Sequence, residues 1–306
     1  MRPVDIALAN DIENRLLSYN RNVRSLTGIR AVAKKRCFIM QIIDSIRRIK
    51  YITVIKNRSI SATCADATNI AFDPIKGAVW HMHQNNFDEA FWLVFLFTHF
   101  GKSRTSSWQR IKDIYGGLGH PAIWTWERTS QNPDEFRFWL EDNIENIGGS
   151  FGNHRKYESL NDNGTGRTIA SYIDWVGENH SHQVKITDGI RSVGNNSREL
   201  FKFLYYNMNV HRFGRTAKFD YLAMVGKLGL ANIEPNSAYM QGATGPVSGA
   251  KLLFGGSETA PLTQGELNEY LSELENCLDL HFGMQVLEDA LCNWQKNPDN
   301  YIHFRG

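Results

Sequence analysis

The side chains whose types and spacing could do chemistry fall between His211 and Met240, in the run HRFGRTAKFDYLAMVGKLGLANIEPNSAYM. Gly214 stands between Phe213 and Arg215, with Arg212 just before and Thr216, Ala217 and Lys218 just after. The apolar residues that follow, Phe219, Leu222, Ala223 and Val225, keep a helical period, so the glycine marks a turn into a helix. Backbone N–H groups at such a turn, flanked by arginines, suit an anion, and above all a phosphate. Arg212, Gly214, Arg215, Thr216 and Lys218 are therefore candidate contacts to a nucleic-acid backbone. Glu234, fixed by the following Pro235, is the leading candidate for a catalytic carboxylate, and Asp220, on the helix after the glycine, is the second.

A second group lies in FGNHRKYESL, residues 151–160, where no helix or strand period accounts for Asn153, His154, Arg155 and Tyr157. Such a mixture can hydrogen-bond and stack a nucleobase; an ordinary surface loop is the competing reading. His99 and Lys102, at the end of DEAFWLVFLFTHFGK, join them as candidate base-pocket residues, although His99 on so apolar a helix also fits a satisfied core position. Other chemistries have less support. His81-x-His83 and His180-x-His182 are the tight histidine pairs, and neither has the carboxylate arrangement of a zinc hydrolase. Walker, GxGxxG and GxSxG motifs are absent. No metal and no cofactor is expected.

Helices must position these groups. Asp5 to Arg24 and Arg36 to Lys50 read as amphipathic helices with basic outer faces, and Arg47, Arg48, Lys50, Lys56 and Arg58 are further candidates for a phosphate backbone. Tyr51 to Ile55 reads as a short strand. Asp73-Pro74 and Asn132-Pro133 are helix starts, a cap followed by proline in the first turn. DEAFWLVFLFTHFGK is hydrophobic nearly all round and reads as the central post, with Gly101 as its stop. Asn161 to Gly166 reads as a flexible turn. The segment 179–196 is polar, and QGATGPVSGAKLLFGGSETAP is glycine-rich. The fold class is mainly α, with two packed helical lobes behind a basic N-terminal segment: residues 1–70, 71–205 and 206–306.

Composition limits the alternatives. The chain has 306 residues and a formal charge of +2, too near neutral for a general polyanion binder, so a nucleic-acid surface has to come from local asymmetry. Residues 1–60 carry thirteen Lys/Arg against four Asp/Glu, while the helix after Pro261 is acidic. Trp 8, Tyr 11 and Phe 17 supply aromatic side chains for a core or for base stacking. Cys37, Cys64, Cys277 and Cys292 are dispersed, which argues against a zinc ribbon or disulfide framework and for a reduced cytoplasm. No run approaches the ~20 apolar residues of a membrane span.

Two resemblances bear on function. Gly214-Arg215-Thr216-Ala217, a helix, and then Ile233-Glu234-Pro235 resemble the hairpin and catalytic carboxylate of helix-hairpin-helix DNA glycosylases. Arg215 stands where bifunctional members carry a nucleophilic lysine, Glu234 where aspartate is usual, and the four-cysteine iron–sulfur loop is missing; the resemblance thus implies monofunctional base excision by water, without a lyase step. Longer blocks, including DEAFWLVFLFTHFGK, FGNHRKYES, FGRTAKFDYL, IEPNSAYMQGATGP and GMQVLEDALCNWQK, resemble the alpha-glutamyl/putrescinyl thymine pyrophosphorylase family, in particular its third clade. That family is associated with hypermodified pyrimidines in phage DNA, and its relatives include anti-phage glycosylases that remove glucosylated hydroxymethylcytosine. The implied partner is double-stranded DNA carrying modified bases, with no membrane and no obligate protein partner. Excision of the base is favoured; displacement of diphosphate from a modified thymine, or non-enzymatic sensing of modified DNA, are the alternatives.

Overall fold

The structure, a computed structural model, describes residues 3–120 and 122–303. Among the described residues it is mainly α, with fourteen α-helices and no β-strand. The chain opens with α1 (Pro3–Asn22) and α2 (Val32–Lys56), then α3 (Pro74–His83), α4 (Phe87–Phe100), α5 (Gln109–Tyr115), α6 (Trp126–Gln131) and α7 (Pro133–Asn143). Next come α8 (Arg167–Val176), α9 (His182–Val193), α10 (Ser197–Asn207) and α11 (Arg215–Leu228), and finally α12 (Gly245–Gly255), α13 (Gln264–Leu278) and α14 (Gly283–Trp294). Residues 1–52 with 235–306 form one compact unit, and residues 53–234 form another. No helix among the described residues is long and apolar enough to cross a membrane.

In the first unit Phe38, Ile42, Leu271, Leu287 and Trp294 are fully buried, with the rings of Phe38 and Trp294 5.1 Å apart. The glycine-rich stretch is the packing helix α12. A Cβ on Gly249 would stand 2.4 Å from the Leu291 carbonyl oxygen, so glycine is what lets α12 lie against α14. The basic N-terminal residues find acids within this unit: Arg24 with Glu273, Lys35 with Glu13, Arg47 with Asp5 and Asp44, and Arg48 with Asp289. The stretch 51–55 is helical rather than a strand. Ile46, Ile49, Ile52 and Ile55 are all buried at a spacing of three, which continues the period of α2 to Lys56.

In the second unit α4 is the post. Ala90 to Leu96 are all buried, and α3, α5, α6, α9 and α11 pack around the helix. Asp73 caps α3 by accepting from Ile75 and Lys76 N–H ahead of Pro74, and Asn132 caps α7 ahead of Pro133. The polar segment after Asn179 forms α9, because Ser181 caps it and Gly194 stops it. Residues 161–166 are pinned rather than flexible: Thr165 is fully buried, and both its N–H and its hydroxyl donate to the Ser159 carbonyl.

Candidate functional site

Two polar sites occupy the two ends of α4, and its fourteen residues separate them by roughly 20 Å of helix rise. At the C-terminal end Gly101 takes φ +66°, and a Cβ there would meet the Gly152 Cα at 3.2 Å. Gly152 N–H donates to the Phe100 carbonyl at 2.8 Å, so the 151–158 loop is clamped onto the end of the helix. From this loop the Arg155 side chain turns inward. Its Nε donates to the Thr98 carbonyl at 2.8 Å, and its Nη2 lies 3.7 Å from Asp220 Oδ2 on α11. Burial lowers the Arg155 pKa, against the pull of Asp220 and Glu158.

His99 sits beneath this arginine, buried, with Nε2 3.0 Å from the Thr165 hydroxyl. That hydroxyl already donates to Ser159, so it accepts from His99 Nε2–H, which assigns the tautomer. Burial, with Arg155 and Arg212 adding to it, pushes the His99 pKa down to about 3, and the ring is neutral. Arg212, at φ +53°, donates to the Tyr157 carbonyl at 2.8 Å and pairs with Glu158 at 3.1 Å. Tyr157 itself is 81% exposed, with Lys156 Nζ 5.0 Å from its ring centre. Asn153 and His154 are exposed on a short 3-10 turn, and Lys102 lies 5.0 Å over the Trp108 ring.

The turn between α10 and α11 brings the remaining cations to this end. Gly214 is the N-cap of α11 and no side chain caps the helix. Gly214 and Thr216 are exposed, Arg215 lies over Phe219, and Lys218 lies 5.7 Å from the Tyr205 ring, where burial lowers its pKa. Arg155 thus joins the loop to Asp220, Arg212 is held to the same loop through Tyr157 and Glu158, and the charges of both arginines reach His99. Glu234 stands elsewhere. Its N–H donates to the Ser197 carbonyl at 3.2 Å and its carboxylate is 3.5 Å from Arg198, at the start of α10. The eleven residues of α10, about 16 Å of rise, run from that anchor toward the turn.

The N-terminal end of α4 opens on a cleft of about 800 Å³ whose walls include Trp80, His81, Asp88, Glu89, Tyr115 and Trp126. Glu89 is buried and accepts from Tyr115 O–H at 2.7 Å and from Trp126 N–H at 2.8 Å. Burial dominates these donors and raises its pKa to about 7. Asp88 shows the opposite balance. Burial would raise its pKa, but the ring and backbone N–H groups of His182, both at 2.7 Å, hold it below the usual carboxylate range. With Nδ1–H given to Asp88, His182 Nε2 accepts from Tyr172 O–H at 2.6 Å, and Tyr172 accepts from Tyr221 O–H at 2.7 Å.

Sequence reasoning missed this cleft. It read the two histidine pairs only as weakly supported metal motifs. His182 instead serves Asp88, while the His180 carbonyl accepts from Trp126 Nε1 at 2.7 Å. His81 lines the cleft with its pKa lowered to about 4 by burial, and His83 Nε2 lies 2.9 Å from the Lys56 carbonyl. Among the described residues no group of three or more His, Cys, Asp or Glu could hold a metal ion. The signal available in sequence was the adjacent acid pair at the start of an apolar helix, which buries one of its members.

Comparison with known proteins returns no match among curated proteins and none among solved structures. A family model does match, over residues 33–306, and spans both ends of α4 and the α10–α11 turn. The chain belongs to the alpha-glutamyl/putrescinyl thymine pyrophosphorylase family, clade 3.

Proposed function

We propose that this protein is a DNA glycosylase that hydrolyses the N-glycosidic bond of a hypermodified pyrimidine in phage DNA, in the service of anti-phage defence. The observation that carries this reading is the convergence at the C-terminal end of α4: Arg155 joins the 151–158 loop to Asp220, on the helix whose uncapped N-terminus carries Gly214 and Arg215. Gly214, Arg215, Thr216 and Lys218 grip phosphate, aided by the first-turn N–H groups. The extruded base lies against Asn153, His154, Tyr157 and Lys102, with Arg155 and neutral His99 beneath. A carboxylate beside the sugar stabilises the developing oxocarbenium ion and orients water. Asp220 takes that role by its place in the cluster, and Glu234, favoured by spacing, is the second candidate.

A second reading follows from the family's name and from the cations Lys102, Arg155, Lys156 and Arg212 around one site: displacement of diphosphate from a modified thymine. One experiment separates the two. The protein is incubated with phage DNA bearing modified pyrimidines and with plain DNA. Alkali-labile abasic sites in the modified DNA alone support excision; released pyrophosphate supports displacement; a shifted, intact duplex means a binding protein. Under excision, Asp220→Asn lowers turnover at least 100-fold with duplex affinity kept within a few-fold, whereas a loss confined to Glu234→Gln moves the carboxylate role there.

A further inference from the structure

The turn that follows α4, residues 101–107 with the sequence GKSRTSS, has no part in the proposed excision beyond Lys102, yet it is closed by its own hydrogen bonds. Ser103 is buried, and its hydroxyl accepts from the Thr105 N–H at 3.3 Å and from the Ser106 N–H at 3.2 Å. The Ser103 and Ser107 backbones exchange two further bonds, at 3.1 and 3.0 Å, with Ser107 at φ +51°. Arg104 and Thr105 are left exposed at the tip. The turn is also stitched to the foot of the 151–158 loop. The Ser103 and Ser150 hydroxyls lie 2.8 Å apart, and the Ser150 N–H donates to the Ser106 hydroxyl at 3.1 Å. The far end of that loop is tied to the α10–α11 turn by Arg212, through the Tyr157 carbonyl and Glu158. Two turns therefore flank one loop, each fixed to an opposite end of it.

Their charges match. From Gly101 to Lys112 the chain carries four Lys/Arg and no Asp or Glu. Arg155 and Arg212 stand against Asp220 and Glu158, whereas among the described residues Lys102 and Arg104 have no carboxylate partner: Lys102 lies over the Trp108 ring, and Arg104 is open to solvent. An open surface cation contributes little to stability, so the fold gives no reason for Arg104. Held beside hydroxyls at the tip of a closed turn, it is preorganised for a phosphate. The seven residue steps from Ser150 to Tyr157 reach at most ~25 Å. A duplex covers that span in about seven base pairs at ~3.4 Å each, so one bound DNA can lie on both turns. We propose that residues 103–107 are a second backbone grip, in which Arg104 and the Thr105 hydroxyl hold phosphates across the extruded nucleotide from those held by Gly214, Arg215 and Lys218. A grip on each side fixes the flanking strand while the nucleotide between them leaves the stack.

This inference rests on the DNA-binding part of the proposed function and not on which bond is broken. Fluorescence anisotropy is measured over a salt series with a short labelled duplex carrying one glucosylated hydroxymethylcytosine, and again with duplexes in which a single phosphate is replaced by a neutral methylphosphonate. Arg104→Gln lowers the salt slope by about one, Arg104→Lys keeps the parent slope, and Arg104→Gln combined with Arg215→Ala lowers it by about two. The linkages whose replacement no longer matters in Arg104→Gln lie across the modified nucleotide from those silenced in Arg215→Ala. Arg104 is exposed, so its variants fold. An unchanged slope in Arg104→Gln, or the same linkages silenced in both variants, overturns the second grip and leaves the hairpin standing. A parent that does not bind the duplex overturns both. A parent held at both turns that leaves the base in place supports the grip and overturns excision.

Discussion

Glu89 and Arg155 show how burial gives ordinary side chains a particular job. Burial raises the Glu89 pKa to about 7, so the folded protein holds a proton that the unfolded chain releases near the normal carboxylate value. Between pH 4.5 and 7 the folded state therefore loses stability from this group as pH rises, by roughly 3 kcal/mol across the window. His99 and His182 act in the other direction, since their lowered pKa values make the folded state lose stability as pH falls below about 6.5. The Glu89 contribution must therefore be read as a difference. Denaturant midpoints taken at pH 5 and pH 7 should show that Glu89→Gln is less stable relative to the parent at pH 5 than at pH 7, and a constant gap would place Glu89 in the ordinary range. At the opposite end of α4, Arg215→Ala should weaken DNA binding equally for every sequence and lower the salt slope by about one; an unchanged slope would remove Arg215 from the phosphate grip.

Among elements, the helices with local punctuation or a plain apolar period were legible, and those shaped by close packing were not. Asp73-Pro74, Asn132-Pro133 and the glycine before Arg215 announce α3, α7 and α11 through caps and fixed backbone angles. Only the last turns of α2, residues 51–55, were hidden by β-branched residues, whose local preference for strand is overridden by burial of Ile52 and Ile55. Glycines 245, 249 and 255 disguised α12, because they report close approach to a neighbour rather than a break. Gly101 does both: it stops α4 at positive φ and admits the Gly152 backbone. Gly101→Ala should cost about 1–3 kcal/mol in a denaturant titration and loosen the 151–158 loop, seen as faster amide exchange there. A loss below 0.5 kcal/mol would mean the clamp is not needed.

For the molecule as a whole, charge is the property that the sequence overstated. The excess of thirteen basic over four acidic residues in 1–60 suggested a polyanion-binding face. In the structure Arg24 pairs with Glu273 on the acidic helix, Arg47 with Asp5 and Asp44, and Arg48 with Asp289, so part of the basic start is answered within its own unit. Within residues 53–234 charge is divided between cations at one end of α4 and carboxylates at the other. The cationic end was partly legible because its residues cluster in two short runs. The acidic cleft was not, because Asp66, Glu89, Tyr115, Glu127 and His180 come from five separate segments that only folding brings together.

The bonds from Tyr221 through Tyr172 and His182 to Asp88 all point one way. Such a row has a head and a tail. A proton placed on His182 Nε2 would have to turn both tyrosine hydroxyls around, so the row behaves as a latch on the neutral imidazole and not as a wire. It also ties the start of α4 to the second turn of α11 through rigid rings, and any ligand that draws Asp88 out of line tugs on the helix that carries Asp220.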